Sequence, residues 1–211
     1  VYDGSWKEDS ETTMRAIAPK GISAEFYTIL LTLMFLETWV LMSIYELDLM
    51  SLLCFHGRGA FVYGEWWRIV TGALLHANIL HILFNLMGLN DVLPAVVRLF
   101  GEWRAQIILW LAVVGGAVAA GLVDPDQPGV GISGGLFGLI GAYWAAWKTF
   151  SDISGNPAAA MQASRVGSMV IMNFALGLLI PQVSNAGHFG GLVMGWFLGK
   201  FWVLRLLGLR S

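Results

Sequence analysis

Gly131-Ile132-Ser133-Gly134-Gly135-Leu136-Phe137-Gly138-Leu139-Ile140-Gly141 is a glycine-rich entry into an apolar helix, with one hydroxyl near its start. The stretch follows Asp124-Pro125-Asp126-Gln127-Pro128-Gly129, whose prolines and glycine stop any helix from arriving intact. Ser133 therefore falls in the first turn of a new helix. Free N–H groups and the positive end of the helix dipole favour a developing negative charge there. Serine inside an apolar helix ordinarily returns a hydrogen bond to a carbonyl one turn back, or sits with glycine at a helix–helix contact. Whether Ser133 does more depends on what the rest of the chain brings to it.

Of the 211 residues, 57% are hydrophobic and only 12% charged, and the mean hydropathy is +0.69, which is too apolar for a soluble domain of this size. The sequence reads as an all-α polytopic membrane protein. Apolar runs near the length that crosses a hydrocarbon core of about 30 Å occur at 24–44, 70–89, 105–123, 131–147, 164–181 and 188–207. This predicts one six-span domain over 24–207, a short polar lead at 1–23 and a tail at 208–211. With the N-terminus cytoplasmic, ten of the twelve Lys and Arg residues lie inside and only Arg58 and Arg68 outside, as the distribution of cations across membranes requires. Both termini are then expected to be cytoplasmic, and Ser133 to lie toward the outer side of a cell (inner) membrane. A net charge of −2 with no basic run argues against nucleic acid as a partner. The lone Cys54 excludes an intrachain disulfide.

Two further polar clusters interrupt the spans. In His76-Ala-Asn78-Ile-Leu-His81-Ile-Leu-Phe-Asn85-Leu-Met-Gly88, a continuous helix would place His81, Asn85 and Gly88 on one face and turn His76 about 140° away from His81. His76 is accordingly expected to matter mainly for stability. A His/Asn face within a membrane must look into protein or water; by itself it is most simply interhelical glue. The second cluster, Asn185-Ala-Gly187-His188-Phe-Gly190-Gly191, runs on through Gly195 to Gly199. Gly191, Gly195 and Gly199 form a bare stripe, and Gly134, Gly138 and Gly141 form another. If the stripes meet, Ser133 and His188 come together. A hydroxyl, an imidazole and a His/Asn face at one depth are what acyl transfer requires.

Simpler roles suffice for the remaining features. Glu37, mid-span, must face protein or water or be protonated, and a structural role is expected. Residues 45–68 read as a segment lying in the interface, with Trp66 and Trp67 as anchors. Gly115 and Gly116 suggest close packing, and Asn173 an interhelical hydrogen bond.

Taken jointly, the clusters resemble the rhomboid family of intramembrane serine proteases. Gly131-Ile-Ser133-Gly134 with Gly138 matches the family's GxSG pattern; His76, His81 and Asn85 match its second-helix pattern; Gly187-His188 with Gly191 and Gly195 match its sixth-helix pattern. Glu65-Trp66-Trp67-Arg68 looks like the Trp-Arg pair before the family's second helix. Two departures stand out. Phe137 occupies a position where many members carry Tyr, and the glutamate many members place after helix two is replaced around Val96 or Val97.

The resemblance implies a six-helix rhomboid-like bundle with Ser133 as nucleophile and His188 as general base. It further implies that His81, Asn85 and the Ser133 N–H receive the oxyanion, and that Gly131, Gly134, Phe137, Gly191 and Gly195 support the site. No metal or other cofactor is expected. The implied partners are membrane lipid and transmembrane substrates carrying helix-destabilising residues. Two other readings stay open at this point: an inactive rhomboid-like protein that binds membrane clients, against which the presence of both Ser133 and His188 counts, and a channel or transporter, which the lack of a duplicated half disfavours.

Overall fold

The computed structural model describes residues 24–46, 48–180 and 183–208. The polar lead and all of the tail except Gly208 lie outside the described residues. Nine helices run through the described residues: α1 Ala24–Tyr45, α2 Leu49–Leu53, α3 Gly57–Phe61, α4 Arg68–Leu74, α5 Ile79–Phe100, α6 Glu102–Val123, α7 Ser133–Ser154, α8 Pro157–Leu179 and α9 Asn185–Leu206. The six long helices form an all-α bundle. α1, α5, α6 and α9 are each long and apolar enough to cross a membrane by their own composition. α7 and α8 are as long but fall short of that apolar composition. For α7 the reason is position: it packs against α5, α6, α8 and α9, so much of its surface meets protein, where small residues bring backbones close.

That close approach is densest between α7 and α9. A Cβ on Gly191 would overlap the Gly134 carbonyl, one on Gly195 the Gly138 carbonyl, and one on Gly199 would come within 2.5 Å of the Ala142 Cα. The two glycine stripes thus face each other backbone to backbone. α6 closes against the same pair: a Cβ on Gly116 would stand 2.7 Å from the Gly187 carbonyl oxygen, and one on Gly115 2.9 Å from the Met194 Cβ.

The second span differs from its sequence reading. Instead of one helix over 70–89, the chain ends α4 at Leu74, runs extended at Leu75, and restarts α5 at Ile79. Asn78 sets the restart, its side chain accepting the His81 N–H at 2.9 Å, as an N-cap does. Pro94 is carried inside α5.

The connection over 45–68 holds α2 and α3. Its organising residue is buried Arg68, which donates to Glu65 Oε2 at 2.6 Å and to the Ser51 and Cys54 carbonyls at 3.0 and 3.1 Å. Trp66, 70% exposed, projects outward beside it. Glu37 lies on the exposed face of α1, because the buried face of that helix is set by Tyr27, Leu31 and Thr38; of the three expected surroundings this sets aside protein and keeps water or protonation. One other expectation is corrected. Asn173 donates to the Met169 carbonyl one turn back at 2.8 Å, so its bond stays within α8.

Candidate active site

The loop 124–132 approaches Ser133 as irregular backbone, and α2–α4 hold it from outside. Phe55 and Gly129 exchange both backbone hydrogen bonds, at 2.9 and 2.7 Å, and Arg58 pairs with Asp126 through two contacts of 2.7 and 2.8 Å. That exposed pair holds the Asp126 carboxyl below the usual aspartate range, chiefly through the hydrogen bond from Arg58. Gly131 donates its N–H to the Gly72 carbonyl at 2.9 Å and has φ +100, a conformation that glycine adopts without strain. Any side chain there would strike the His81 ring, 2.6 Å from the ideal Cβ, and reach Asn85 Nδ2 at 3.3 Å.

α7 then begins at Ser133, and α9 begins at Asn185, with the Ser184 hydroxyl accepting the Gly187 N–H at 3.1 Å. His188 is one turn in. Its Nε2 stands 2.9 Å from Ser133 Oγ. The Phe137 ring, one turn below Ser133, stacks on the imidazole at a centroid distance of 4.1 Å and an interplanar angle of 12°, and is itself met edge-on by Phe174 of α8 at 5.4 Å. The imidazole is therefore fixed from one side by an aromatic face and from the other by the serine. Its Nδ1 is buried and meets no hydrogen-bond partner among the described residues.

His81 and Asn85 lie on α5 beside Gly131, two residues before Ser133. Asn85 is 3% exposed, and its buried Nδ2 meets no hydrogen-bond acceptor among the described residues. A buried donor of this kind costs stability unless some state of the protein supplies an acceptor. His76 corrects the helical-wheel reading. It sits in the break before α5, so the 140° offset does not apply, and its ring meets His81 edge-on at 5.1 Å. It is 2% exposed and backs the His81 ring directly.

A cavity of about 130 Å³ opens beside Ser133 and His188, its wall also including Gly131, Gly134, Gln127 and Ser184. Ser184 and the Arg58–Asp126 pair were not singled out from sequence. Ser184 carried a usable signal, a serine three residues before Gly187 at the start of an apolar run, which is an N-cap pattern. The Arg58–Asp126 pair joins residues 68 apart and left none.

A family model described as the Rhomboid domain matches residues 63–205, more than half of the chain. The chain belongs to the rhomboid family. Among curated relatives of this rhomboid, "Rhomboid protease GluP" of Bacillus subtilis is 35% identical over 64% of this chain and 25% of its own length. "RHOMBOID-like protein 5" of Arabidopsis thaliana is 33% identical over 67% of this chain and 46% of its own length. "Putative rhomboid protease YdcA" of Bacillus subtilis is 31% identical over 64% and 66% respectively. The matches span between a quarter and two thirds of these relatives. Rhomboid membership together with the apolar helices makes the chain an integral membrane protein.

Proposed function

We propose that this rhomboid is an intramembrane serine endopeptidase working through a Ser133–His188 dyad. The observation that carries the reading is the 2.9 Å approach of His188 Nε2 to Ser133 Oγ with the imidazole stacked on Phe137. In this reading the Ser133 hydroxyl donates to Nε2, and its oxygen attacks the scissile carbonyl as the proton passes to the imidazole. The oxyanion is received by Asn85 Nδ2, His81 and the N–H of Ser133. His188 then returns the proton to the leaving amine, and water entering the cavity from the Ser133 end hydrolyses the ester, with His188 again acting as base. Among the described residues no carboxylate bonds to His188; the Phe137 stack takes over that positioning. Relatives bearing the name rhomboid protease support the reaction class.

The orientation proposed is Ser133 outward and both termini cytoplasmic. Arg98, Lys148, Lys200 and Arg205 all lie toward the end of the bundle opposite Ser133, which agrees with cations collecting inside. The test is cleavage of a transmembrane substrate in proteoliposomes holding the purified protein. Product fragments ending near the outer membrane boundary are expected. An intact substrate beside correctly folded wild-type protein would instead favour a client-binding role.

Asn85 should act on the transition state, since its free donor meets negative charge only when the oxyanion forms. Asn85→Ala is expected to lower kcat by about 10²–10³, the usual consequence of removing one such donor, with KM little changed. A change confined to KM would place Asn85 in substrate binding.

Substrate choice follows from backbone physics. A transmembrane helix hides its scissile carbonyl in its own hydrogen-bond ladder, and opening that ladder in lipid costs several kcal/mol per unsatisfied group. Spans already weakened by Gly, Pro or polar residues near their outer end should be preferred. Replacing those residues by Leu at matched insertion is expected to slow cleavage at least tenfold, roughly 1.4 kcal/mol in barrier. Rates within about twofold would show that unwinding does not select the substrate.

A further inference from the structure

Away from Ser133, a second cavity of about 260 Å³ opens between α5, α7 and α8, just below the usual small-molecule range of about 300–1,000 Å³. Asp91 of α5 and Arg165 of α8 both line it. Both are exposed, and neither takes part in an ion pair or a side-chain hydrogen bond among the described residues. Gln162 Nε2 donates to the Tyr143 hydroxyl at 3.3 Å on the same wall. That bond leaves the phenolic proton and the amide oxygen available. Val166 and Met169 supply an apolar wall next to Arg165.

Depth decides what could fill such a space. Asp91 lies nine residues before the end of α5 and Arg165 eight after the start of α8, so both are about 12–14 Å from the helix ends opposite Ser133. Lys148 and Lys200, each six residues from the end of its helix, lie about 9 Å from those ends. All four charges fall in the half of the bundle opposite Ser133, and Val92, Val166 and Met169 present apolar side chains beside the cavity's two. Two opposite charges facing one cavity within helices of this kind are expensive without partners. An arginine fork suits a phosphate through paired N–H bonds, and a carboxylate suits an ammonium that still carries N–H.

We propose that the cavity between α5, α7 and α8 binds a phosphate–ammonium zwitterion of the ethanolamine type, with Arg165 on the phosphate and Asp91 on the ammonium. A lipid carrying that headgroup would lay an acyl chain along Val166 and Met169. A quaternary choline has no N–H for Asp91, and an anionic glycerol headgroup brings negative charge against it. The site is independent of the chemistry at Ser133.

The test is native mass spectrometry of the protein released from micelles containing ethanolamine, choline and glycerol phospholipids of identical acyl chains in equal amounts. The ethanolamine lipid is expected to be retained about tenfold over either competitor, equivalent to roughly 1.4 kcal/mol. Arg165→Gln should abolish that retention, and Asp91→Asn should erase the preference over the glycerol lipid. Both residues are exposed and unbonded, so melting profiles should match the wild type. Soluble phosphoethanolamine at millimolar concentration separates the sources: displacement of bound lipid assigns the site to the free ester, and lack of displacement assigns it to the lipid. Equal retention of the three lipids by the wild type, or a preference unchanged in both variants, would overturn the proposal.

Discussion

Ser133→Ala and His188→Ala should each lower cleavage of a reconstituted transmembrane substrate by at least about 10⁴-fold, and the double variant should be no slower than either single one. The reason is the shared proton. At 2.9 Å the imidazole can take the hydroxyl proton as the Oγ–carbon bond forms, so removing either partner removes the same step, and two independent losses would multiply instead. The Phe137 stack makes a further distinction. Phe137→Ala leaves both reacting groups in place but frees the ring, and its effect should be smaller than that of losing the dyad. Single-turnover rates for the three variants and the double one are the measurement. Substantial turnover by Ser133→Ala would remove the nucleophile from the account.

The second large effect lies in the glycine seam. Gly195→Val should destroy both fold and activity, because its Cβ would overlap the Gly138 carbonyl. An ordinary overpacked core relaxes through side-chain rotamers at a cost of about 1–3 kcal/mol. Here the obstructing atoms are backbone on both sides, and relief requires moving α9 off α7. Because Ser133 begins one of these helices and His188 lies in the first turn of the other, the same displacement separates the reacting pair. Phe197→Leu serves as the control: it is on the same helix, 66% exposed, and should be nearly silent. Thermal melts in detergent alongside turnover distinguish the two. A Gly195→Val protein with wild-type melting and cleavage would contradict the close contact.

The parts of this architecture legible in sequence are those carried by periodic pattern. The apolar runs gave the long helices, and the stripes Gly134/Gly138 and Gly191/Gly195/Gly199 indicated a backbone-to-backbone contact, because only a helix approached that closely needs a face without side chains. The proline- and glycine-bearing loop before Ser133 likewise marked the start of α7. What escaped was local interruption. A hydropathy run over 70–89 stays apolar through Leu74 and Leu75, so the break before α5 is invisible to it, although Asn78 three residues ahead of His81 is an N-cap signal that outweighs the run. Missing that break put His76 on the wrong side of an unbroken helix, when its ring packs on His81. Glu37 is a different case. The cost of an intramembrane carboxylate limits its surroundings to protein, water or a protonated form, but which of these applies depends on the face α1 buries, and one helix's sequence does not contain its neighbour. Pairings across long separations, such as Arg58 with Asp126, are products of the assembled fold in the same sense.

The measurement that bears most directly on the central claim is covalent labelling by a fluorophosphonate followed by peptide mapping. A serine activated by an imidazole in a site that stabilises an oxyanion reacts with such a reagent, and a serine that merely caps a helix does not. The account predicts a single adduct on Ser133 in the wild type and none in Ser133→Ala or His188→Ala at equal folded protein. Labelling that persists in Ser133→Ala, or a folded, substrate-cleaving wild type whose Ser133 stays unmodified, would contradict it.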